Sequence, residues 1–273
     1  MTALADLFPE SGHRFHLTLR RGEPRDFFCP RDSLGRVLAE RARWLAAEPA
    51  AYAALLPEGE PLLAEFAELC ADWVPGLPAV PWSVETLGAS LEPDVLLLSA
   101  DVTGAFRLRG GALCFPTGWA LADKIGHPMD FIHGVVPGLN AALGSPIQQF
   151  LSRLKPGPAY LRDNWGIAAS DELNLHPARR VLPPALPVAL ERLWLRVEHQ
   201  ALVALPRTGG VAFGIRIALH RLDEIAREPA AAAGLKRALE SMPAEMAAYK
   251  RLDAIRDGLI ALLSASPLRR RST

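Results

Sequence analysis

Two histidines six positions apart are the residues of this 273-residue chain best suited to chemistry. His127 and His133 belong to the segment CFPTGWALADKIGHPMDFIHGVVPG, which contains four glycines and three prolines. Pro128 would break the interior of a helix, but it suits a first helical turn. The segment therefore predicts two short helices, one over 117–126 that is capped by Thr117, and one over 128–134.

The surroundings predicted for the two histidines differ. His127 precedes the second helix, next to two aspartates, and is expected to meet water. His133 shares one helical face with Met129 and Ile132. It is either a core histidine with one satisfied hydrogen bond, or a neutral imidazole offered to a metal or haem from an apolar wall. The spacing alone leaves both readings open.

Other common sites have no motif in this sequence. HxxxH, HExxH and HxH are absent, and Cys29, Cys70 and Cys114 form no CxxC pair. No GxSxG, no Walker loop and no GxGxxG that follows a strand and opens a helix occurs. The odd number of cysteines predicts free thiols in a reducing compartment, so we expect a cytoplasmic protein.

A second polar group follows alternate positions of the run LWLRVEHQALVAL. Arg196, Glu198 and Gln200 share one face of the predicted strand, whereas His199 lies among aliphatic side chains on the other face. The polar face is either solvated, with cross-strand pairs to residues such as Arg216, or it binds a polar ligand or the edge of a cofactor. His199 is either a core residue or a second ligand.

The elements that must position these residues predict an α+β protein. The alternation in RFHLTLRR indicates a strand from Phe15. DVLLLSA indicates a buried strand, and AFRLRGGALCFP indicates either two strands or one strand bent at its glycine pair. AYLRDNWGIA is either extended or irregular. Two alternating runs joined by RTGG predict a hairpin. Helical patterns cover 33–75, 147–157 and 225–264, with breaks at Pro49, Pro57 and Pro243.

Composition limits the remaining classes. Thirty Lys and Arg residues balance thirty Asp and Glu residues, so nothing global favours nucleic acid or an anionic membrane surface. No apolar run approaches the roughly 20 residues of a membrane-spanning helix, and the first residues lack a secretory pattern. We therefore expect one domain over 1–273 that contacts neither a membrane nor nucleic acid.

Several segments together resemble the haem-dependent oxidative N-demethylase alpha-subunit family. They are LCFPTGWALADKIGHPMDFIHGVVPGLN, FLSRLKPGPAYLRDNWGI, LWLRVEHQALVALPRTGGVAFGIR and MPAEMAAYK, and the resemblance extends from about Phe15 to Lys250. It implies a PAS-like antiparallel sheet of about five strands, flanked by N- and C-terminal helices and holding b-type haem. It also implies oxidative demethylation of a small secondary amine such as dimethylamine, with release of formaldehyde. Oxygen would be the oxidant, and electrons would come from a partner reductase that carries flavin and an iron–sulfur cluster.

The same resemblance assigns roles to individual residues. His133 matches the histidine of the family's IHxPVPG segment and is the expected iron ligand. Glu198 and Arg196 match its RVERQ strand and are the expected catalytic residues. The residues expected near the cofactor are Arg162, Asn164, Trp165 and Gln200.

This sequence departs from the family's pattern at three positions. It has Val135 in place of the usual proline, Gly166 in place of serine and His199 in place of arginine. These changes leave room for a different amine substrate. They also leave two alternatives open: a PAS-like protein that binds haem or a small ligand without catalysis, and an interaction subunit with a vestigial site.

Overall fold

The computed structural model describes residues 3–77 and 81–265, and its centre is one antiparallel sheet. The strands are β1 Arg20–Gly22, β2 Ala53–Leu55, β3 Asp94–Ala100, β4 Phe106–Ala112, β5 Ala159–Ala168, β6 Trp194–Leu205 and β7 Gly210–Arg221. Their order across the sheet is β1-β5-β6-β7-β3-β4-β2. The sheet is open, because β1 and β2 lie at its two edges.

Helices lie between β1 and β2, between β2 and β3, and between β4 and β5, and further helices follow β7. They are α1 Pro24–Phe28, α2 Arg36–Ala47, α3 Pro49–Tyr52, α4 Glu60–Trp73, α5 Val84–Ser90, α6 Met129–His133, α7 Leu139–Ser152, α8 Leu222–Ile225, α9 Pro229–Ser241, α10 Ala244–Tyr249 and α11 Arg256–Ala265. This order confirms the predicted α+β class. No helix among the described residues is long and apolar enough to cross a membrane.

The sheet has seven strands rather than the five expected. The five long strands match the predicted extended runs, and AFRLRGGALCFP forms the single strand β4, whose pairing with β3 shifts register near its glycine pair. The two additional strands have three residues each. β2 lies within the segment predicted as helical, where its residues pair with Gly110, Gly111 and Ala112. A strand of three residues is too short to show an alternation of polar and apolar side chains, and it forms only because a distant strand pairs with it.

The N-terminal strand begins later than the alternation in RFHLTLRR predicts. Residues 14–19 belong to no strand, although their burial alternates, and pairing with β5 begins only at Arg20. Alternation makes a chain extended, but a strand also needs a neighbour that accepts its backbone hydrogen bonds. As a result, no strand of the described residues lies on the outer side of β5 beyond Leu161, and this part of the sheet edge is open.

Two layers of helices cover the sheet. One face packs against α1, α2, α4 and α5 near one end of the strands, and against α8, α9, α10 and α11 near the other. The opposite face packs against α6 and α7, through Met129, Ile132, Ile147 and Leu151 among others. The helix that ends with His133 therefore covers the second face.

Two helix predictions in this region need correction. Residues 117–126 form no α-helix, only a 3₁₀ turn over Leu121–Asp123. Helix α7 begins at Leu139 and contains Pro146, whereas the pattern predicted a helix from 147. The second short helix is confirmed, since α6 spans Met129–His133 and follows Pro128.

Candidate functional site

The register of β5 and β6 brings the predicted polar residues together. Asn164 lies opposite Glu198, Arg162 opposite Gln200, and Gly166 opposite Arg196. Side chains alternate between the faces of a strand, so these residues share the face that α6 and α7 cover.

The residues between them point to the opposite face. Trp165 lies opposite Val197, and its ring packs edge-on against Phe8, with 5.4 Å between the ring centroids. His199 lies opposite Asp163 and shares a hydrogen bond of 2.6 Å with that carboxylate. Because His199 and His133 lie on opposite sides of the sheet, the two cannot ligate one metal ion.

One prediction for this sheet is wrong. Arg216 makes no cross-strand pair with the polar face, because its register partner is His199. Instead it is buried in an ion pair with Glu92 and donates to the carbonyl oxygens of Phe27 and Cys29. Its function is to attach the start of the chain to the sheet.

Glu198 is the acceptor at the centre of the polar face. One carboxylate oxygen accepts from the Thr117 hydroxyl at 2.7 Å. The other accepts from Asn164 Nδ2 at 3.2 Å and from Gln200 Nε2 at 2.9 Å. A carboxylate has about four acceptor positions, so about one remains for a further donor.

Arg196 holds two loops against the strand. Its side chain is fully buried and donates to Thr117 Oγ1 at 2.9 Å, and to the carbonyl oxygens of Phe115 at 2.8 Å and Leu173 at 2.7 Å. A longer contact of 3.3 Å reaches the carbonyl oxygen of Glu172. Burial lowers the pKa of Arg196 to about 10. This value is still well above 7, so the guanidinium is charged at neutral pH. Because protein atoms occupy most of its donors, Arg196 positions other groups and has little capacity to bind a ligand.

A second buried cation fixes the loop that carries Thr117. Arg41 of α2 forms a fully buried ion pair of 2.5 Å with Asp94, the first residue of β3. Asp94 in turn accepts from the backbone N–H groups of Cys114 at 2.6 Å and Phe115 at 3.0 Å. The chain after β4 is thus held from both sides, and Thr117 bridges Arg196 to Glu198 instead of capping a helix. No local feature of the sequence indicates this role.

A cavity of about 240 Å³ lies beside this group, at the open edge of β5. Thr117, Asn164, Arg196 and Glu198 form its inner wall, and residues 181–184 and 249–251 form much of the remainder. Sequence reasoning gave no role to the last group, although MPAEMAAYK was one of the segments that carried the family resemblance.

Lys250 contributes an ammonium group to this cavity. Its Nζ donates to the carbonyl oxygen of Trp165 at 2.5 Å, and it lies 5.1 Å from the centroid of the Trp165 ring. Burial lowers the pKa of Lys250 to about 8, with Arg162 acting in the same direction and Glu198 opposing it. Lys250 is therefore mainly charged at pH 7 and loses its charge in mildly alkaline solution.

His133 and Arg162 form the other part of the site. Burial, followed by the charges of Arg162 and Lys124, lowers the pKa of His133 to about 4, so its imidazole is neutral at pH 7. Burial also lowers the pKa of Arg162, against the charges of Glu198 and Asp163. Among the hydrogen bonds and ion pairs of the described residues none involves the Arg162 guanidinium, although the carboxylates of Glu198 and Asp163 are close enough to act on its charge.

The two histidines of the opening segment differ as predicted. His127 is exposed, and its ring stacks on Phe131 with 3.9 Å between centroids. His133 is partly buried beside the apolar cluster that includes Met129 and Ile132. His133 does not line the 240 Å³ cavity, and Arg162 is the residue whose charge acts on both His133 and Lys250.

These donors fit a haem group in their chemistry. A haem needs one neutral imidazole for its iron and cationic partners for its propionates, and here a neutral imidazole lies within the electrostatic reach of an unpaired guanidinium. No three His, Cys, Asp or Glu side chains converge as a metal site in 3–77 or 81–265. Haem iron does not require such a cluster, because one axial histidine suffices.

Fold and site together define an α+β protein with an open antiparallel sheet and a polar pocket at its edge. A comparison with known families makes this more specific. The sequence model of the haem-dependent oxidative N-demethylase, alpha subunit-like family matches residues 82–260, about two thirds of the chain. The protein belongs to this family. The matched region contains all five long strands, the site residues predicted from the sequence, Thr117 and Lys250, whereas α1 to α4, β1 and β2 lie outside it.

Proposed function

We propose that this protein catalyses the haem-dependent oxidative N-demethylation of a small secondary amine of the dimethylamine type. The proposal rests on family membership, and the observation that carries it is the neutral imidazole of His133 close to the unpaired guanidinium of Arg162. Overall, a secondary N-methylamine, O₂, two electrons and two protons would give the primary amine, formaldehyde and water.

His133 is the residue proposed to hold the iron of a b-type haem. Arg162 is the proposed partner of a propionate, with Asn164, Trp165 and Gln200 as further neighbours of the cofactor. When bound, haem supplies the oxidation chemistry that amino-acid side chains lack. The protein's own contributions are a neutral imidazole, an unpaired cation and a cavity at the sheet edge.

Glu198 is the proposed partner of the substrate. Its remaining acceptor position can take an N–H of a protonated amine and so orient the methyl group. Arg196 contributes indirectly, since it fixes Thr117, which donates to Glu198. Glu198→Gln should therefore raise KM for the amine more than it lowers kcat, because it weakens a contact made to the substrate itself.

The electrons would come from a partner subunit with flavin and an iron–sulfur cluster, consistent with the name of an alpha subunit-like family. We also propose a PAS-like arrangement, which the five contiguous long strands and the helices inserted between β4 and β5 support. The three cysteines are free thiols, which supports a reducing cytoplasmic location.

The test of this function combines a spectrum with a product assay. Protein expressed with sufficient haem should show an intense Soret band that changes when dimethylamine is added. With reductant and O₂, it should release formaldehyde from dimethylamine. His133→Ala should lose the Soret band, whereas His127→Ala, a matched change at the exposed histidine, should keep it.

Two results would contradict the proposal. Colourless wild-type protein after haem-replete expression would show that the protein does not bind haem. A haem-loaded protein that releases no formaldehyde from any methylamine would favour a protein that binds haem without catalysis. Loss of the Soret band in His127→Ala alone would overturn the assignment of His133.

A further inference from the structure

The charge of the cavity does not suit a simple ammonium ion. Among the residues that line it are three cations, Arg196, Lys250 and Arg251, and a single carboxylate, Glu198. Arg162 adds a further positive charge close to Lys250. Like charges near a cationic ligand cost binding free energy, so a bare dimethylammonium would meet repulsion as well as attraction.

The hydrogen-bonding groups of Glu198 and Lys250 also do not suit a simple ammonium ion. Glu198 already accepts three hydrogen bonds, which leaves it about one acceptor position. Lys250 has three N–H donors, and the described residues use one of them, for the carbonyl oxygen of Trp165. Lys250 thus has two unused donors and Glu198 about one unused acceptor position, so these two charged side chains favour a ligand that brings acceptor oxygens as well as an N–H donor.

The size of the cavity also favours a ligand larger than dimethylamine. A water molecule has a share of about 30 Å³ in the liquid, so the three heavy atoms of dimethylamine need only part of 240 Å³. A ligand with several additional heavy atoms would fill the remainder and reach from Glu198 towards the 249–251 wall.

We propose that this cavity binds an N-methyl amine that also carries a carboxylate, with its ammonium at Glu198 and its carboxylate at Lys250. This inference rests on the proposed function and specifies its substrate class as N-methylated amino acids. For the smallest member, N-methylglycine, O₂, two electrons and two protons would give glycine, formaldehyde and water. The N–CH₃ bond breaks, and the methyl carbon leaves as formaldehyde.

Calorimetric titration of the haem-loaded protein at pH 7 tests the proposal with three probes. N-methylglycine carries both charges, N-methylglycinamide lacks the carboxylate, and dimethylamine lacks the whole group. N-methylglycine should bind at least about tenfold more tightly than either of the others, as one charge-assisted contact predicts. Equal or tighter binding of dimethylamine or the amide would overturn the proposal.

A variant assigns the effect to one residue. Lys250→Met keeps the length of the side chain but removes its charge. This variant should bind N-methylglycine and the amide about equally well. Lys155→Met, at an exposed lysine after α7, should leave the preference intact. An undiminished preference in Lys250→Met would overturn the role of Lys250.

If Lys250→Met does not fold, the same titrations can be carried out on the wild-type protein at a series of pH values. The groups that act on Lys250 are Glu198, Arg162 and His13. The preference for N-methylglycine over dimethylamine, both of which stay mainly protonated in this range, should fall as the pH rises through about 8, where the Lys250 ammonium loses its proton. A preference that stays constant from pH 7 to about 9.5 would contradict the proposal, because Lys250 would be neutral over the upper part of that range.

The product assay separates this inference from the proposed function. Formaldehyde from dimethylamine but none from N-methylglycine would overturn the substrate class alone. Tight, Lys250-dependent binding of N-methylglycine without any formaldehyde would support the binding mode and overturn the demethylase function.

Discussion

Buried cations in two regions of the protein differ in whether a carboxylate forms an ion pair with them. Arg41 and Arg216 lie on the side of the N-terminal helices, and each forms a buried ion pair, with Asp94 and Glu92 respectively. Each pair also attaches loop backbone to the sheet, since both carboxylates accept from main-chain N–H groups. These cations are part of the scaffold, even though Arg41 Nη2 and Arg216 Nε have no hydrogen-bond partner.

Arg162 and Lys250, at the open edge of β5, have no such carboxylate. Arg162 has no hydrogen bond or ion pair with a described residue, and Lys250 donates to one carbonyl oxygen. Glu198 acts on both charges from a distance but forms no ion pair with either. A desolvated charge without an ion-pair partner costs stability, and such groups are frequent at functional sites. The contrast separates the residues that hold the fold from those available to a ligand.

The largest effect is expected at the paired cations. Asp94→Ala leaves Arg41 buried without a counter-charge, and it also removes the acceptor for the N–H groups of Cys114 and Phe115. The free energy of unfolding in urea should fall by about 3–5 kcal/mol. Glu240→Ala, which breaks the exposed pair with Lys236, should cost only about 0.3–0.5 kcal/mol. Similar losses in the two variants would show that the buried pair is not part of the scaffold.

The next largest effect should be a loss of unfolding free energy at acidic pH. In the haem-free protein, His133 stays neutral in the folded state down to about pH 4, whereas the unfolded chain binds a proton near pH 6.5. Stability should therefore fall as the pH drops from about 6.5 towards 4. The part due to His133 should be about 1–2 kcal/mol after allowance for partial exposure. His133→Gln should reduce the slope of unfolding free energy against pH, and His127→Gln should not change it. Equal slopes in wild type and His133→Gln would contradict the burial of this imidazole.

A smaller loss is expected at the bridge between Arg196 and Glu198. Thr117→Val keeps the shape of the side chain but removes the hydroxyl that accepts from Arg196 and donates to Glu198. We expect a loss of about 1 kcal/mol in unfolding free energy and weaker binding of the amine. Thr103→Val, at an exposed turn, is the matched control for stability, and its amine affinity should equal that of the wild type.

The smallest effect on stability should come from Arg162. Arg162→Met removes a cation that lacks a protein partner, so the unfolding free energy should stay within about 1 kcal/mol of the wild type or rise. Haem retention, measured by the Soret absorbance per protein, should nevertheless fall clearly. A loss of several kcal/mol in urea unfolding would place Arg162 with the paired cations and remove the contrast between the two groups.

The sequence predicted the parts of the site that depend on local pattern. The alternation in β6 placed Arg196, Glu198 and Gln200 on one face, and the RTGG turn predicted its hairpin partner β7. Pro128 separated an exposed histidine from a partly buried one. The alternation near Phe15 failed as a strand prediction, because a strand requires a neighbouring strand and the sequence does not show where that neighbour lies.

Two residues of the site could not be predicted from local pattern. Thr117 was assigned to a helix cap, but it lies between Arg196 and Glu198, about eighty positions along the chain from either of them. Lys250 reaches the carbonyl oxygen of Trp165 across 85 positions. Such contacts form only when separate elements pack together, so neither residue carries a local signature of its role.

Local sequence pattern was sufficient for the α+β class, for β3 and the β6–β7 hairpin, and for the face on which each polar residue of β6 lies. Those features follow from side-chain alternation and from proline and glycine breaks, which act over a few residues. The tertiary structure alone decided which cations are paired, where the edge of β5 is open and how strongly each titratable group is desolvated. Charge pairing and desolvation depend on every neighbour in space, and chain folding brings those neighbours from distant parts of the sequence.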